Sequence, residues 1–309
     1  MAAPIRIGTC SWADEALTKH WYPKDVKTAE DRLRYYAERF STVEVDSTYY
    51  RLPDEPTVAR WNERTPDGFV MHVKAFGLMT RHPVRAEQLP PDLREAAPAD
   101  ERGRIDRPPR ELRAKAFARF HAALEPLRSA GKLGGILLQF PSYVVAKDLS
   151  RDYLAWAVEQ LRGDRPLVEF RHRSWLDDEN RAATLAFLEE LGATHVVVDA
   201  PQTEAKNLVP TVVAATSPLA YVRLHGRNAA TWNVRGGAAS DRFDYLYSEE
   251  ELREWTEPLR ELAEGADEVY VLFNNNRWSR TPRGELTAQA PANALVLQGI
   301  LAESGVPTA

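Results

Sequence analysis

The sequence predicts an α/β chain folded as a (β/α)8 TIM-type barrel, one domain spanning 1–309, with long loops after strands three and seven. Three observations carry that expectation. Short apolar, β-branched runs recur eight times along the chain. Stretches with apolar residues at three- and four-residue spacing lie between most of them. The first run leads into "IGTCSW" and not into the G-x-G-x-x-G turn that an open, doubly wound sheet usually carries. A repeating strand–helix order implies parallel strands joined by right-handed crossovers, and eight such units close a barrel. A length of 309 residues suits that architecture with insertions.

The first five runs are IRIG (5–8), TVEVD (42–46), FVMHVK (69–74), GILLQF (135–140) and LVEF (167–170). The last three are HVVVDA (195–200), AYVRLHG (220–226) and EVYVLFNN (268–275). Each is four to eight residues long and rich in Val, Ile, Leu or aromatic residues, as buried strands are. Between the first two, "AEDRLRYYAERF" sets Leu33, Tyr36, Ala37 and Phe40 on one helical face. "RAATLAFLEELG" does the same with Leu185, Leu188 and Leu191, and Gly192 stops it. "EEELREWTEPLRELAEG" precedes strand eight and "PANALVLQGILAE" follows it. Two connections exceed simple loops: 80–110, rich in Pro, Arg and Asp, and 227–247, which contains "NVRGGAASD". Both follow strands and so rise from the face where barrel enzymes build their sites, unless they are flexible insertions.

Alternation within the strands separates two faces. Val43 and Val45 oppose Glu44 and Asp46; Met71 and Val73 oppose His72 and Lys74; Val168 and Phe170 oppose Glu169 and Arg171. Val196 and Val198 oppose His195, Val197 and Asp199, while Val222 and Leu224 oppose Arg223 and His225. With the apolar face against the helices, the polar set enters the lumen. There Lys74, Arg171, Arg223 and His225 balance Glu44, Asp46, Glu169 and Asp199. This set is either a structural ion network or a site at the strand C-terminal ends.

The strand ends add Trp12, Tyr49, Tyr50 and Trp175 as aromatic walls and Arg51, Arg171, Arg173, Arg223 and Arg227 as anion clamps. Asn274 and Asn275 supply neutral hydrogen-bonding groups. Flat rings beside guanidinium forks suit a planar or cyclic ligand carrying phosphate or carboxylate. Acid–base catalysis would use Glu169 or Asp199 as base and His225 or Lys74 as acid, with Arg171 and Arg223 binding the anion. The set Glu169, Asp199 and His225 has the chemistry to hold a divalent metal, although no H-x-x-E-H-type spacing supports one, and no cofactor is assigned. Lys74 would form a Schiff base if burial lowered its pKa. Cys10 reads as a small packed residue, and His82 stands on the site face after strand three.

A net charge of −5 and a pI near 5.9 exclude bulk coating of nucleic acid, though a local basic patch remains compatible. The single cysteine, Cys10, excludes an intrachain disulfide, and "MAAPIRIG" lacks the apolar core of a signal peptide. No run approaches the ~20 apolar residues of a membrane span. A cytoplasmic protein is expected.

Taken together, "IGTCSW", "YYAERFSTVEVDSTYYRLP", "VARWNERTPDGFVMHVKA", "LLQFP", "VEFRHRSW", "YVRLHGRN", "RFDYLYS", "VYVLFNNN" and "APANAL" resemble the YecE-like family, domain of unknown function seventy-two, over nearly the whole chain. The resemblance implies a TIM-type barrel and supplies no reaction. By matching motif it implies rim positions at Thr9, Trp12, Asp46, Tyr49, Tyr50, Lys74, Glu169, Arg171, Arg223, His225, Gly226, Arg227, Asn274 and Asn275. The chain departs from that pattern at Cys10, where serine is common, at Ser11, where glycine is frequent, and at Asn276, where histidine is frequent. An extension, "RWSRTPRGELTAQ", precedes the last motif. The functional expectation is an enzyme doing acid–base or hydrolytic chemistry on a small anionic substrate that is phosphorylated, sugar-like or nucleotide-like. The rival expectations are a nucleic-acid-binding or processing protein and a non-catalytic metabolite-binding protein.

Overall fold

The structure is a computed structural model that describes residues 2–232, 242–280 and 284–309. The "NVRGGAASD" stretch, 233–241, lies outside the described residues. All eight expected strands form: β1 (Ile5–Thr9), β2 (Thr42–Val45), β3 (Val70–Lys74), β4 (Leu133–Gln139), β5 (Pro166–Glu169), β6 (Thr194–Asp199), β7 (Leu219–Leu224) and β8 (Glu268–Phe273). They run parallel in the order β1-β8-β7-β6-β5-β4-β3-β2, which wraps the sheet into a nearly closed barrel. Among the described residues no helix is long and apolar enough to cross a membrane.

Helices cover the outside where the patterns place them. Ala29–Ala37 begins with a capping box between Thr28 and Asp31 and buries Leu33 and Tyr36. Arg181–Glu190 buries Leu188, and Gly192 takes the left-handed conformation after it. Glu249–Arg253 and Thr256–Gly265 divide the stretch before β8, and Gln289–Glu303 follows it. The crossover after β6 differs. Residues 200–218 contain no helix, and Leu208, Val209 and Val212 are buried there in its place.

β1 and β2 are the two ends of the sheet order, and a side chain bridges them. The Thr9 amide donates to the Tyr36 hydroxyl at 2.8 Å, and that hydroxyl donates to the Thr42 carbonyl at 3.2 Å. Gly8 permits this approach: a Cβ there would stand 2.2 Å from the Thr42 oxygen.

The connection after β3 is an ordered platform, not a loose insertion. Val84–Arg85 pairs antiparallel with Arg104–Ile105, and Pro91–Glu95 forms a short helix between them. The Arg94 guanidinium binds the carbonyls of Ala86, Glu87 and Leu89 at 3.0–3.2 Å, which stiffens the turn.

The alternation expected from the sequence holds in β2, β3, β5 and β7 and fails in β6. Val196 and Val198 pair with Tyr221 and Arg223, whose side chains bind Glu44 across the lumen, so the valines face inward. Asp199 points outward, accepting from Trp255 Nε1 at 2.9 Å and from Arg227. His195 also faces outward and donates through Nε2 to the Val212 carbonyl at 3.0 Å. A strand apolar on both faces gives alternation nothing to distinguish.

Tyr36→Phe keeps the ring and removes the bridge, leaving the Thr9 amide and the Thr42 carbonyl without it. The expected cost is about 1–3 kcal/mol, seen as a fall in Tm and faster amide exchange at Thr9. Unchanged melting and exchange would show that the bridge contributes nothing.

Candidate functional site

A buried ion network crosses the lumen. The Arg223 guanidinium binds Glu44 Oε1 at 2.7 Å and Glu169 Oε2 on the opposite wall. Tyr221 donates its hydroxyl to Glu44 Oε2 at 2.9 Å. Glu169 Oε1 takes Arg171 Nε at 2.5 Å, Gln139 Nε2 at 2.8 Å and His225 Nε2 at 3.2 Å. Asn274 donates to His225 Nδ1 at 2.8 Å, which leaves Nε2 as the protonated nitrogen, aimed at Glu169.

Two glutamates and two arginines balance in charge. Burial favours the neutral acid at Glu169, but Arg171, then Arg223 and His225, outweigh it and hold the carboxyl well below its ordinary range. Burial, with Arg171 and Arg223 nearby, lowers His225 to about 3 and keeps it neutral. Glu169, fully buried and bonded at both oxygens, is thus an anchor for the groups around it. His225 has both nitrogens engaged, by Glu169 and Asn274.

Above this network a cavity of about 530 Å³ opens at the C-terminal ends of the strands. Asp46, Lys74, Arg171, Gln139 and Asn274 line it from the barrel. Trp232 and Phe243 wall one side, and the Arg171 guanidinium carbon lies 5.5 and 6.0 Å from their ring centroids. Lys74 Nζ lies 4.8 Å from the Tyr49 ring centroid, and burial, then the Arg223 charge, lowers its pKa. His82 joins the wall with Nδ1 2.9 Å from Thr80 Oγ1; burial and the cations Lys74 and Arg171 lower it to about 3.

Two carboxyls face the same cavity with their acidity reduced. Burial raises Asp46 to about 7, opposed by Lys74 and reinforced by Glu44 and Asp14. Burial raises Asp14 to about 6, opposed by the Leu17 amide. Asp14 caps the helix Glu15–His20 through Oδ1, 2.9 Å from the Leu17 nitrogen, and its buried Oδ2 has no hydrogen-bond partner.

The structure therefore divides the residues expected at the site. Asp46, Tyr49, Tyr50, Lys74, Arg171 and Asn274 meet at the cavity; Glu169, Arg223 and His225 lie beneath it. Five others sit elsewhere. Trp12 packs edge-on against Trp61, and Trp175 stacks on Phe170 at 4.3 Å while donating to the Val144 carbonyl. Arg227 is committed to Asp199 and Glu254 on the outer face. Asn275 is fully buried and donates to Tyr245 O and Asn293 Oδ1. Asp199 is outside the lumen, so Glu169, Asp199 and His225 form no common metal set. Among the described residues no group of three or more His, Cys, Asp and Glu is placed to hold a metal ion.

Cys10 is fully buried, and burial pushes its thiol well up. The sequence reasoning missed Asp14, Gln139, Trp232, Phe243 and Trp278, which also line the cavity. For Asp14 a signal existed: an aspartate opening a helix three residues past the end of strand-one motif "TCS".

The family model described as "Protein of unknown function DUF72" matches residues 6–307. The chain belongs to the DUF72 family. It is 34% identical over 278 residues to UPF0759 protein YunF of Bacillus subtilis (strain 168), covering 88% of this chain and 89% of that one. Two crystal structures of DUF72 proteins share its fold. One, from Thermotoga maritima MSB8, superposes with a TM-score of 0.74 at 30% identity, covering 97% of this chain and 99% of the other. The other, from Enterococcus faecalis V583, gives a TM-score of 0.75 at 26% identity, covering 96% and 95%. The YecE-like resemblance and the barrel read from the sequence both hold. The DUF72 name brings no reaction.

Glu169→Gln leaves two buried guanidinium groups facing one anion. We expect a loss of about 3–5 kcal/mol and a Tm lower by roughly 6–12 °C, measured by calorimetry. A variant as stable as the parent would refute the anchor role. Asp46 gives a pH test. Its folded pKa of about 7 lies above the unfolded value of ~3.9, so the folded state binds more protons between them and stability falls as pH rises through that window. Asp46→Asn cannot ionise and should gain in Tm over the parent from pH 4 to pH 8; an equal difference at both ends contradicts the shift.

Proposed function

We propose that this chain is an enzyme that performs acid–base or hydrolytic chemistry on a small anionic substrate, phosphorylated, sugar-like or nucleotide-like, at the C-terminal face of the barrel. We also propose a cytoplasmic site of action, in keeping with the single buried cysteine. One observation carries the functional reading: two cations, Lys74 and Arg171, and a carboxyl poised near neutrality, Asp46, open into one cavity.

Each group has a role its surroundings favour. Arg171 is fixed through Nε by Glu169, which leaves its outer nitrogens for an anionic oxygen. Lys74 adds a second positive charge, and the Gln139 amide, held by the same glutamate, adds a neutral contact. Trp232 and Phe243 offer faces to a ring. Asp46, near half-protonation at neutral pH, is the group best matched to moving a proton, and it takes the base role first assigned to Glu169.

A panel of sugar phosphates and nucleotides tests this by thermal shift and by product formation. The expected result is a compound that raises Tm and is converted. Asp46→Asn should cut its turnover about 10²–10⁴-fold without lowering Tm. Arg171→Gln should weaken binding about 10–100-fold. Binding without conversion would move the assignment to a non-catalytic metabolite-binding protein. Conversion that survives Asp46→Asn would remove Asp46 from the mechanism.

A further inference from the structure

Beside the mouth lies a second cavity, of about 780 Å³, walled by the β3 platform. Tyr49 and Tyr50 border both spaces, so the two adjoin across these rings. Beyond the tyrosines the lining turns basic, with Arg51, Arg85, Arg102 and Arg104 against Glu87 and Asp100.

This wall is built and held. Asp100 Oδ1 accepts from the backbone amides of Arg102 and Arg104, each at 2.9 Å, which sets both arginines on one turn. Gln88 takes the Arg85 amide at 2.6 Å and donates to the Tyr50 carbonyl at 2.9 Å, tying the platform to the strand-two rim. The basic side chains are little used internally. Among the described residues Arg51, Arg85 and Arg102 make no salt bridge, and Arg104 reaches only Asp106, at 3.9 Å. Tyr50 is 55% exposed on the shared border, a ring open to stacking.

Resting on the reading of the mouth as an anion site, we propose that this second cavity is an outer subsite for a further anionic group of the same ligand. The ligand class is then an elongated molecule with two phosphate-type groups and a planar ring between them, of about dinucleotide size. One anion meets Lys74 and Arg171, the ring lies on Tyr50, and the second anion meets the arginines of the platform. Guanidinium groups beside an open aromatic face suit phosphate next to a flat ring.

The probes are 5′-phosphorylated dithymidylate and thymidine 5′-monophosphate, titrated by calorimetry at low salt into the full chain. The dinucleotide should bind at least ~10-fold more tightly, as one added charge-assisted contact provides. Arg102→Ser combined with Arg104→Ser should erase that advantage and leave monophosphate binding unchanged. Arg171→Gln should weaken both probes alike. Equal affinities for the two probes, or a double variant that still prefers the dinucleotide, overturn the outer subsite while Arg171→Gln still reports on the mouth. Loss of neither probe on Arg171→Gln overturns the mouth reading instead. No binding of either probe overturns the ligand class. A (dT)12 strand binding far more tightly than the dinucleotide shows an open nucleic-acid track and overturns the bounded subsite.

Discussion

Arg223 occupies the middle of the lumen with Glu44 on one side and Glu169 on the other, and the rest of the mouth is arranged around that bridge. An arginine buried this deeply is tolerable only with its charge matched and its donors engaged. Two glutamates from opposite strands match its charge and engage both terminal nitrogens, leaving only Nε without a hydrogen-bond partner, and in doing so they bridge the walls. Glu169 is then an oriented anion, and it holds Arg171 and Gln139 by the same oxygen. The groups that look outward are thus positioned by groups that never see solvent, which is how a rigid scaffold presents a preorganised surface.

The same lumen drives its carboxyls apart. Glu169 is surrounded by cations and stays ionised, whereas at Asp46 burial outweighs the offset from Lys74 and, less, Arg223, and the carboxyl keeps its proton to about 7. Two acids on neighbouring levels of one barrel therefore have opposite characters, set by surroundings and not by residue type. Electrostatics separates the ionised anchor from the carboxyl that holds its proton to near neutrality.

The barrel was legible because eight strands and their helices left strong periodic signals, and the inward set was legible wherever a strand alternated. Asp46, Lys74, Glu169 and Arg223 were found that way. Asp199 was misplaced because Val196, Val197 and Val198 make β6 apolar on both faces. Strand position also cannot reveal depth: Glu169 and Lys74 both point inward, yet one is capped on every side and the other reaches the opening. Trp12 and Trp175 show the limit for aromatics, since strand-end position fits a wall and a packing wedge equally well. Trp232 and Phe243 enter from a long connection whose return to the mouth has no local period to read.

The seam that Tyr36 bridges makes the barrel wall uneven in how its strands are joined. Among the described residues seven of its boundaries are laced by backbone ladders, while the eighth is joined by the Tyr36 phenol and by Ala309, whose amide donates to the Ile5 carbonyl and whose carbonyl takes the Ser41 hydroxyl. The strand beside that seam is β2, which carries Glu44 and leads into Asp46. Glu169 and Arg171 belong to the laced side. The fully laddered side of the mouth therefore holds the guanidinium, and the side next to the unladdered seam carries the acid.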